Sequence, residues 1–196
     1  MLPEIGSELL STVALLAAIG VWIVSDWSIA FAHRGTADDS RDQGSKYAIG
    51  AAVVGGVLAA VLLSQIAPSL SVPAPTVAFW LGVGAILLGV VLRQYAVRTL
   101  GDGFDLEVRV DAADEVVDSG PYRWVRHPSY TGALLSLVGV GITVGNWLSI
   151  AVALLAGIAG YGYRIRVEER ALRETLGERY AAYANRTPYR LVPGIW

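Results

Sequence analysis

The chain has 196 residues, of which 54% are hydrophobic and only 16% are charged, and its formal net charge is −2. The low charged fraction is typical of a protein that has the lipid bilayer as its solvent, and the lack of net positive charge argues against nucleic acid as a partner. With no cysteine and two histidines, the sequence excludes disulfides and a thiolate nucleophile and argues against a metal site. We expect residues 1–196 to form a single membrane domain.

Five apolar stretches follow one another along the chain, at about residues 9–31, 47–67, 76–97, 128–145 and 147–164. A helix needs about 20 apolar residues to cross the hydrocarbon core of a bilayer, so we predict an all-α integral membrane fold with five transmembrane helices. Prolines separate the second stretch from the third, and Gly145-Asn146-Trp147 divides the last two into a helical hairpin. No basic residue precedes the first stretch, which is therefore expected to remain as a span and not to be a signal peptide.

The basic residues indicate the orientation of these spans. All 15 of them lie in or beside three segments, residues 33–46, 93–126 and 164–190. Because positive charge marks the cytoplasmic side of a membrane protein, these segments are predicted to face the cytoplasm, with the N-terminus outside and the C-terminus inside. Arginine outnumbers lysine fourteen to one, which favours a GC-rich prokaryotic genome and hence a prokaryotic cell membrane.

The segment that precedes the fourth stretch alternates between apolar and polar residues from Phe104 to Val110. Such alternation predicts a strand with one buried face. Residues Glu115–Asp118 are expected to return beside it, so the sequence predicts a short cytoplasmic β-hairpin.

Asp26 is the one acid inside the first apolar stretch. An acid within a span is costly and often functional. Asp26 lies near the inner end of the stretch, however, so a structural role close to the interface is the alternative.

The fourth stretch is entered through an unusual loop, GPYRWVRHPSYTG at residues 120–132. Pro128 suits the first turn of a helix, which would put Arg126 and His127 at a helix N-terminus, where free backbone N–H groups favour an anion. We expect a carboxylate to be held there by Arg126, by the backbone or by the imidazole. The alternative is a basic membrane anchor with a proline stop, which explains Arg123 but not the whole cluster.

Residues 164–184 carry apolar side chains at helical spacing and predict a C-terminal cytoplasmic amphipathic helix that begins where the fifth span ends. Most of its charges pair at i, i+4 on a solvated face. Glu168 and Glu169 differ from these, because adjacent residues on a helix point about 100° apart, so that one carboxylate faces inward while the other pairs outward. An inward carboxylate suits a ligand ammonium or ribose hydroxyls, and the alternative is an intrahelical pair of Arg164 with Glu168.

These two stretches together resemble the isoprenylcysteine carboxyl methyltransferase family and its relatives, which include phospholipid N-methyltransferases. The family shows Gly-Pro-Tyr…Arg-His-Pro-x-Tyr-x-Gly, a helical hairpin, Arg-Ile-x-x-Glu-Glu-x-x-Leu, Gly-x-x-Tyr-x-x-Tyr and a proline-containing tail. The matching residues are Gly120, Pro121, Tyr122, Arg126, His127, Pro128, Tyr130, Gly132, Arg164, Ile165, Glu168, Glu169, Leu172, Gly177, Tyr180, Tyr183 and Pro193. The resemblance covers about residues 98–196, and the first three spans match only in being hydrophobic.

The resemblance implies S-adenosyl-L-methionine as methyl donor and a cofactor region formed by residues 98–132 and 164–196. The predicted cofactor-binding residues are Tyr122, Arg126, His127, Tyr130 and Glu169. The predicted catalytic residues, nearer the acceptor, are Arg164 and Glu168. The acceptor is expected to be a lipophilic small molecule that arrives through the lipid bilayer and carries a carboxylate, a thiol or an amine.

Two other functions fit a polar site beneath a bundle of spans. An NADPH-dependent membrane reductase of the steroid-reductase type has such a site, although no Gly-x-Gly-x-x-Gly follows a strand in this sequence. A non-catalytic transporter or sensor would bind its ligand near mid-membrane, whereas the polar residues here cluster at the inner surface. Binding of S-adenosylmethionine or of NADPH to the purified protein discriminates between these functions.

Overall fold

The computed structural model describes residues 2–32, 44–101 and 115–196, and the regular elements in these ranges are all helices. The α-helices are α1 (Leu2–Ala32), α2 (Ser45–Ile66), α3 (Pro75–Leu100), α4 (Pro128–Thr143), α5 (Trp147–Leu176) and α6 (Glu178–Arg186). Short 3-10 helices occupy Pro68–Leu70 and Gly120–Arg123. The all-helical membrane architecture predicted from the apolar stretches is therefore confirmed for the described residues.

Four of these helices are long and apolar enough to cross a membrane, namely α1 from Glu8 onward, α2, α3 and α5. The fourth predicted span forms α4, which has 16 residues. At 1.5 Å per residue this helix is about 24 Å long, which is shorter than a hydrocarbon core of about 30 Å. The described helices thus provide four candidate spans, and a fifth crossing stays a prediction.

Close packing of α3 against α4 depends on glycine. A β-carbon placed on Gly139 would lie 2.8 Å from the backbone nitrogen of Ile86, and one on Gly82 would lie 2.5 Å from the backbone nitrogen of Thr143. Side chains do not approach backbone atoms this closely, so these positions need glycine for the helices to meet. Small residues commonly have this role between membrane helices, and here they bring the C-terminal half of α4 against the N-terminal half of α3.

The predicted break at Gly145-Asn146-Trp147 is present, since α4 ends at Thr143 and α5 begins at Trp147. The Asn146 side chain caps α5 by accepting from the backbone N–H groups of Leu148 and Ser149. Its amide nitrogen also donates to the carbonyl oxygen of Ala67 at 2.8 Å. This cap therefore ties the hairpin turn to the end of α2.

Asp26 has a structural partner. The Arg93 side chain, which is largely buried, donates from Nε to the Asp26 carboxylate at 2.8 Å, and its second nitrogen donates to the Ser129 hydroxyl at 3.0 Å. An acid that lies within a bundle needs such a partner. The pair links α1, α3 and the first turn of α4, which favours the structural role for Asp26.

The predicted β-hairpin and the predicted C-terminal helix have different outcomes. The predicted strand at 104–110 lies outside the described residues, and residues 115–118 form no strand. The amphipathic segment predicted as one helix over 164–184 is wrong in its continuity, because α5 ends at Leu176 and α6 begins at Glu178. Gly177 lies between them with φ 53°, a left-handed conformation that glycine adopts without a steric penalty.

Candidate active site

The loop that enters α4 is held by the C-terminal tail, residues 187–196. The backbone N–H of Arg126 donates to the carbonyl of Tyr189, and that of His127 donates to the carbonyl of Arg190, each at 2.9 Å. His127 is the N-cap of α4, and Pro128 occupies the first turn, as predicted. The N–H groups of Arg126 and His127 are thus bonded to the tail, although the sequence pattern predicts this backbone as one place to hold an anion.

Arg126, His127 and Arg190 surround the side chain of Glu169 and form a buried polar cluster with it. Glu169 is the centre of this cluster and is 5% exposed. Its Oε1 atom accepts from Nε of Arg126 at 2.9 Å and from Nε of Arg190 at 3.1 Å. Its Oε2 atom accepts from a terminal nitrogen of Arg190 at 2.9 Å, and the His127 Nε2 atom lies 3.4 Å from Oε1. One buried carboxylate therefore joins the entering loop, α5 and the tail.

The charge state of Glu169 follows from these contacts. Burial by itself would raise the pKa of the carboxyl, but hydrogen bonds from His127 and Arg190 and the positive charge around it outweigh that effect and hold the pKa of Glu169 far below its usual range. A buried carboxylate is tolerated only when it is paired and hydrogen-bonded. Glu169 consequently stays ionised at neutral pH and binds its neighbours as an anion.

Arg126 spreads its donors between Glu169 and the tail. One terminal nitrogen donates to the carbonyl oxygens of Thr187 at 2.8 Å and Pro188 at 2.9 Å. The side chain is almost fully buried. Because a guanidinium presents several donors in a fixed plane, Arg126 can fasten the tail and the carboxylate together.

A second group of contacts surrounds Glu168. The Tyr130 hydroxyl donates to Oε2 of Glu168 at 2.7 Å and accepts from Nε of Arg164 at 3.1 Å. Arg164 also donates to the hydroxyl of Ser45 at 2.8 Å. The tyrosine hydroxyl therefore bridges the guanidinium of Arg164 and the carboxylate of Glu168, which lie one turn apart on α5.

The two adjacent carboxylates differ in exposure. The side chain of Glu168 is 28% exposed and that of Glu169 is 6% exposed. His127 lies between them, since its Nδ1 atom is 3.8 Å from Oε2 of Glu168 while Nε2 faces Glu169. The accessible carboxylate is thus Glu168, and the buried one is surrounded by arginine.

Aromatic rings build one wall of the cluster. The Tyr130 ring stacks between His127 and Tyr161, with centroid distances of 5.6 Å to each. This stack fixes the ring whose hydroxyl touches both Arg164 and Glu168. Tyr130 is therefore positioned by packing as well as by hydrogen bonds.

Three further tyrosines lie near the charged residues of the cluster, namely Tyr122, Tyr180 and Tyr183. The Tyr183 hydroxyl donates to the backbone carbonyl of Tyr122 at 2.8 Å, and the Tyr122 hydroxyl donates to the carbonyl of Ala96. Tyr180 is 3% exposed, and its hydroxyl has no hydrogen-bond partner within the described part of the chain. A buried hydroxyl without a partner is uncommon, so Tyr180 retains a donor that the described residues do not use.

The structure brings six of the seven predicted site residues into contact through these bonds, and it sets Tyr122 at the edge. It also adds Arg190 and Ser45, which are not among the predicted residues. An arginine in a short tail after the last helix is a weak signal that could have identified Arg190. Ser45 gives no such signal, because it meets Arg164 only through the packing of α2 on α5.

Comparison with protein families gives a match in the same region. The family described as "Isoprenylcysteine carboxyl methyltransferase (ICMT) family" matches residues 80–174, which include the loop that enters α4 and most of α5. The resemblance predicted from the two motifs is therefore confirmed.

Curated proteins and a solved structure extend this similarity. An uncharacterized protein of Bacillus subtilis, YpbQ, is 29% identical over 60% of this chain and 66% of its own length. Protein-S-isoprenylcysteine O-methyltransferase B of Arabidopsis thaliana is 33% identical over 55% of each chain. The structure of the eukaryotic intramembrane Ras methyltransferase ICMT superposes with a TM-score of 0.59 at 29% identity and covers 74% of this chain and 51% of that one. The chain thus spans less than two thirds of the length of these relatives.

Proposed function

We propose, from this likeness to integral membrane methyltransferases of the isoprenylcysteine carboxyl methyltransferase family, that the chain transfers a methyl group from S-adenosyl-L-methionine to a lipophilic acceptor. The observation that carries the proposal is the convergence of the two motif halves. The loop with Arg126 and His127 and the α5 segment with Arg164, Glu168 and Glu169 meet in one buried cluster.

The residues present fit the cofactor. The unpartnered Tyr180 hydroxyl is held in its protonated form because burial, followed by the nearby Glu169 charge, raises the pKa of Tyr180, so it offers a donor to a ligand oxygen. The half-buried Glu168 carboxylate offers an acceptor for a ligand hydroxyl or ammonium. We assign Tyr122, Arg126, His127, Tyr130 and Glu169 to the cofactor side of the site.

When bound, S-adenosyl-L-methionine supplies an electrophilic methyl group on its sulfonium. The chain then has to hold the acceptor in line and exclude water. The tail is held over the site by the contacts that join Arg126, Arg190 and Glu169. In this position the tail excludes water from the site. The Tyr130 bridge holds Glu168 and Arg164 in fixed positions, which we assign to the acceptor side.

The roles of Arg164 and Glu168 depend on the acceptor. The guanidinium of Arg164 attracts and orients a carboxylate acceptor, which needs no base. An amine acceptor must first lose a proton, and the Glu168 carboxylate is placed to take it at Oε2 or to pass it through His127. A thiol acceptor reacts as its thiolate, which the same arginine stabilises.

We further propose that the spans number five, that α4 and α5 form a membrane hairpin, and that the cluster and α6 face the cytoplasm of a prokaryotic cell. The confinement of the basic residues to one face supports this orientation. Reporters fused after Trp196 test it. A cytoplasmic reporter is expected to be active there and an exported one inactive, and the reverse result overturns the orientation.

The test of the proposed function is equilibrium binding of S-adenosylmethionine and of NADPH to the purified protein. We expect the first to bind and the second not to bind. His127→Ala should weaken binding by about 2–3 kcal/mol if the imidazole makes a charge-assisted contact, whereas Arg173→Ala, which alters an exposed side chain on α5, should have little effect. Binding of NADPH instead, or equal losses in both variants, contradicts the proposal.

A further inference from the structure

An open groove lies between α5 and Trp196. Its volume is about 220 Å³. The residues that line it are Ile158, Ala159, Gly162, Tyr163, Arg166 and Trp196. A β-carbon on Gly162 would lie 3.6 Å from the Trp196 ring, so the glycine keeps the space open between the helix and the indole.

The lining changes from apolar to basic along one face of the helix. Leu155 and Ile158 are exposed at 63% and 41%, within a helix that is long and apolar enough to cross a membrane. Tyr163 follows, and Arg166 stands one turn beyond Gly162. From the bilayer core to the headgroups, a membrane helix typically presents apolar side chains first, then aromatic ones and then positive charge.

Arg166 is available for a ligand. Its side chain is exposed, and among the residues described here it has no ion-pair partner, in contrast to Arg126, Arg190 and Arg173, which all contact Glu169. A guanidinium binds phosphate oxygens well because its donors match their geometry. The groove therefore offers a cation beside an apolar channel.

We infer that this groove binds an anionic glycerophospholipid of the surrounding bilayer. The phosphate lies on Arg166, and one acyl chain lies along Ile158 and Ala159 beside the Trp196 ring. The groove is smaller than the pockets that enclose a whole small ligand, as expected for a molecule whose remainder stays in the membrane. This site is distinct from the proposed methyl-transfer site and does not depend on that activity.

The bound lipid supports the site through the tail. The Trp196 ring lies 5.8 Å from the guanidinium carbon of Arg190, and Arg190 donates twice to Glu169. The carbonyl of Trp196 accepts from the backbone N–H groups of Leu191 and Val192, so the ring and the tail move together. A ligand that packs beside Trp196 stabilises the folded chain by mass action and holds Arg190 in place.

Native mass spectrometry and thermal unfolding of the purified full-length protein in detergent, titrated with phosphatidylglycerol or phosphatidylcholine, test this inference. We expect phosphatidylglycerol to bind more tightly and to raise the unfolding temperature. Arg166→Gln should weaken its binding about fivefold, the effect of about 1 kcal/mol for one basic residue at an anionic surface. Arg170→Gln is the matched control, because it removes an exposed arginine one turn further on the same helix, outside the groove.

Gly162→Leu provides a second variant that keeps every charge and fills the groove. It should lower the affinity for phosphatidylglycerol while Arg166 remains. Equal losses in Arg166→Gln and Arg170→Gln would indicate general attraction to basic charge and overturn the inference. Equal binding of both lipids, or unchanged binding when either groove residue is altered, would also overturn it.

Discussion

Glu168 and Glu169 are neighbours in the chain, yet their surroundings differ in kind. Glu169 is buried and receives hydrogen bonds from two arginines, with an imidazole close by. Glu168 is partly exposed and reaches Arg164 through a single tyrosine hydroxyl. A carboxylate whose lone pairs are filled by the protein holds structure together, and one that retains accessible lone pairs can act on a ligand. We therefore propose that Glu169 holds the cofactor side of the site together and that Glu168 acts on the ligand.

The largest expected effect is on stability, from Glu169→Gln. Removing the charge leaves Arg126 and Arg190 facing each other without a carboxylate, and breaking a buried ion pair in this way costs about 3–5 kcal/mol. Unfolding in detergent by heat or denaturant measures this loss. Glu178→Gln, an exposed acid in the first turn of α6, is the control and should cost less than about 1 kcal/mol. A small loss for Glu169→Gln would remove its structural role.

The pH dependence of that loss sharpens the comparison. Because the pKa of Glu169 in the folded chain lies far below the ordinary value of 4.5, its contribution to stability is present above that value and is lost as pH falls through the folded pKa. The stability difference between the unmodified chain and Glu169→Gln should be constant from about pH 8 to 5 and shrink only below about pH 4.5. Unfolding midpoints over this range measure it, and a difference that shrinks near neutral pH contradicts the assignment.

Tyr130→Phe should reduce catalysis more than stability. The substitution keeps the ring stack between His127 and Tyr161 and removes only the hydroxyl that joins Arg164 to Glu168. We expect kcat/KM for a lipophilic acceptor to fall about 10- to 100-fold, with about 1 kcal/mol of stability lost. Tyr161→Phe, which alters the neighbouring ring of the same stack, is the control and should retain most activity. Equal effects of the two variants would show that the bridge from Arg164 to Glu168 has no special role in catalysis.

The smallest expected effects come from two tyrosines of α6 that respond in opposite ways. Tyr183→Phe removes a hydrogen bond to the backbone of Tyr122 and should cost about 1 kcal/mol of stability. Tyr180→Phe removes a buried hydroxyl without a partner, so stability should be unchanged or slightly higher while S-adenosylmethionine affinity falls about 5- to 10-fold. Calorimetric binding and unfolding measure both. Unchanged affinity in Tyr180→Phe would remove this hydroxyl from the proposed cofactor site.

Sequence alone determined the features that depend on local chemistry. The apolar stretches predicted the helices, Pro128 predicted the first turn of α4, and Gly145-Asn146-Trp147 predicted the hairpin turn. Each prediction depends only on local backbone preferences or on the transfer of side chains out of water. The two motif halves also predicted the region in which the buried cluster lies. The break at Gly177 was missed because apolar spacing continues through it, although a glycine at that place is a common helix end.

Only the tertiary structure decided which carboxylate is buried. Spacing on a helix separates Glu168 from Glu169 by about 100°, but the rotation of α5 is set by its contacts with other helices. A β-carbon on Gly160 would meet Ala52 of α2, and one on Gly157 would meet Leu134 of α4, so these close approaches fix the helix face. Arg190 then reaches Glu169 because the tail pairs with the loop before α4. Contacts between residues so distant in sequence depend on how the whole bundle packs, and no local sequence pattern predicts that packing.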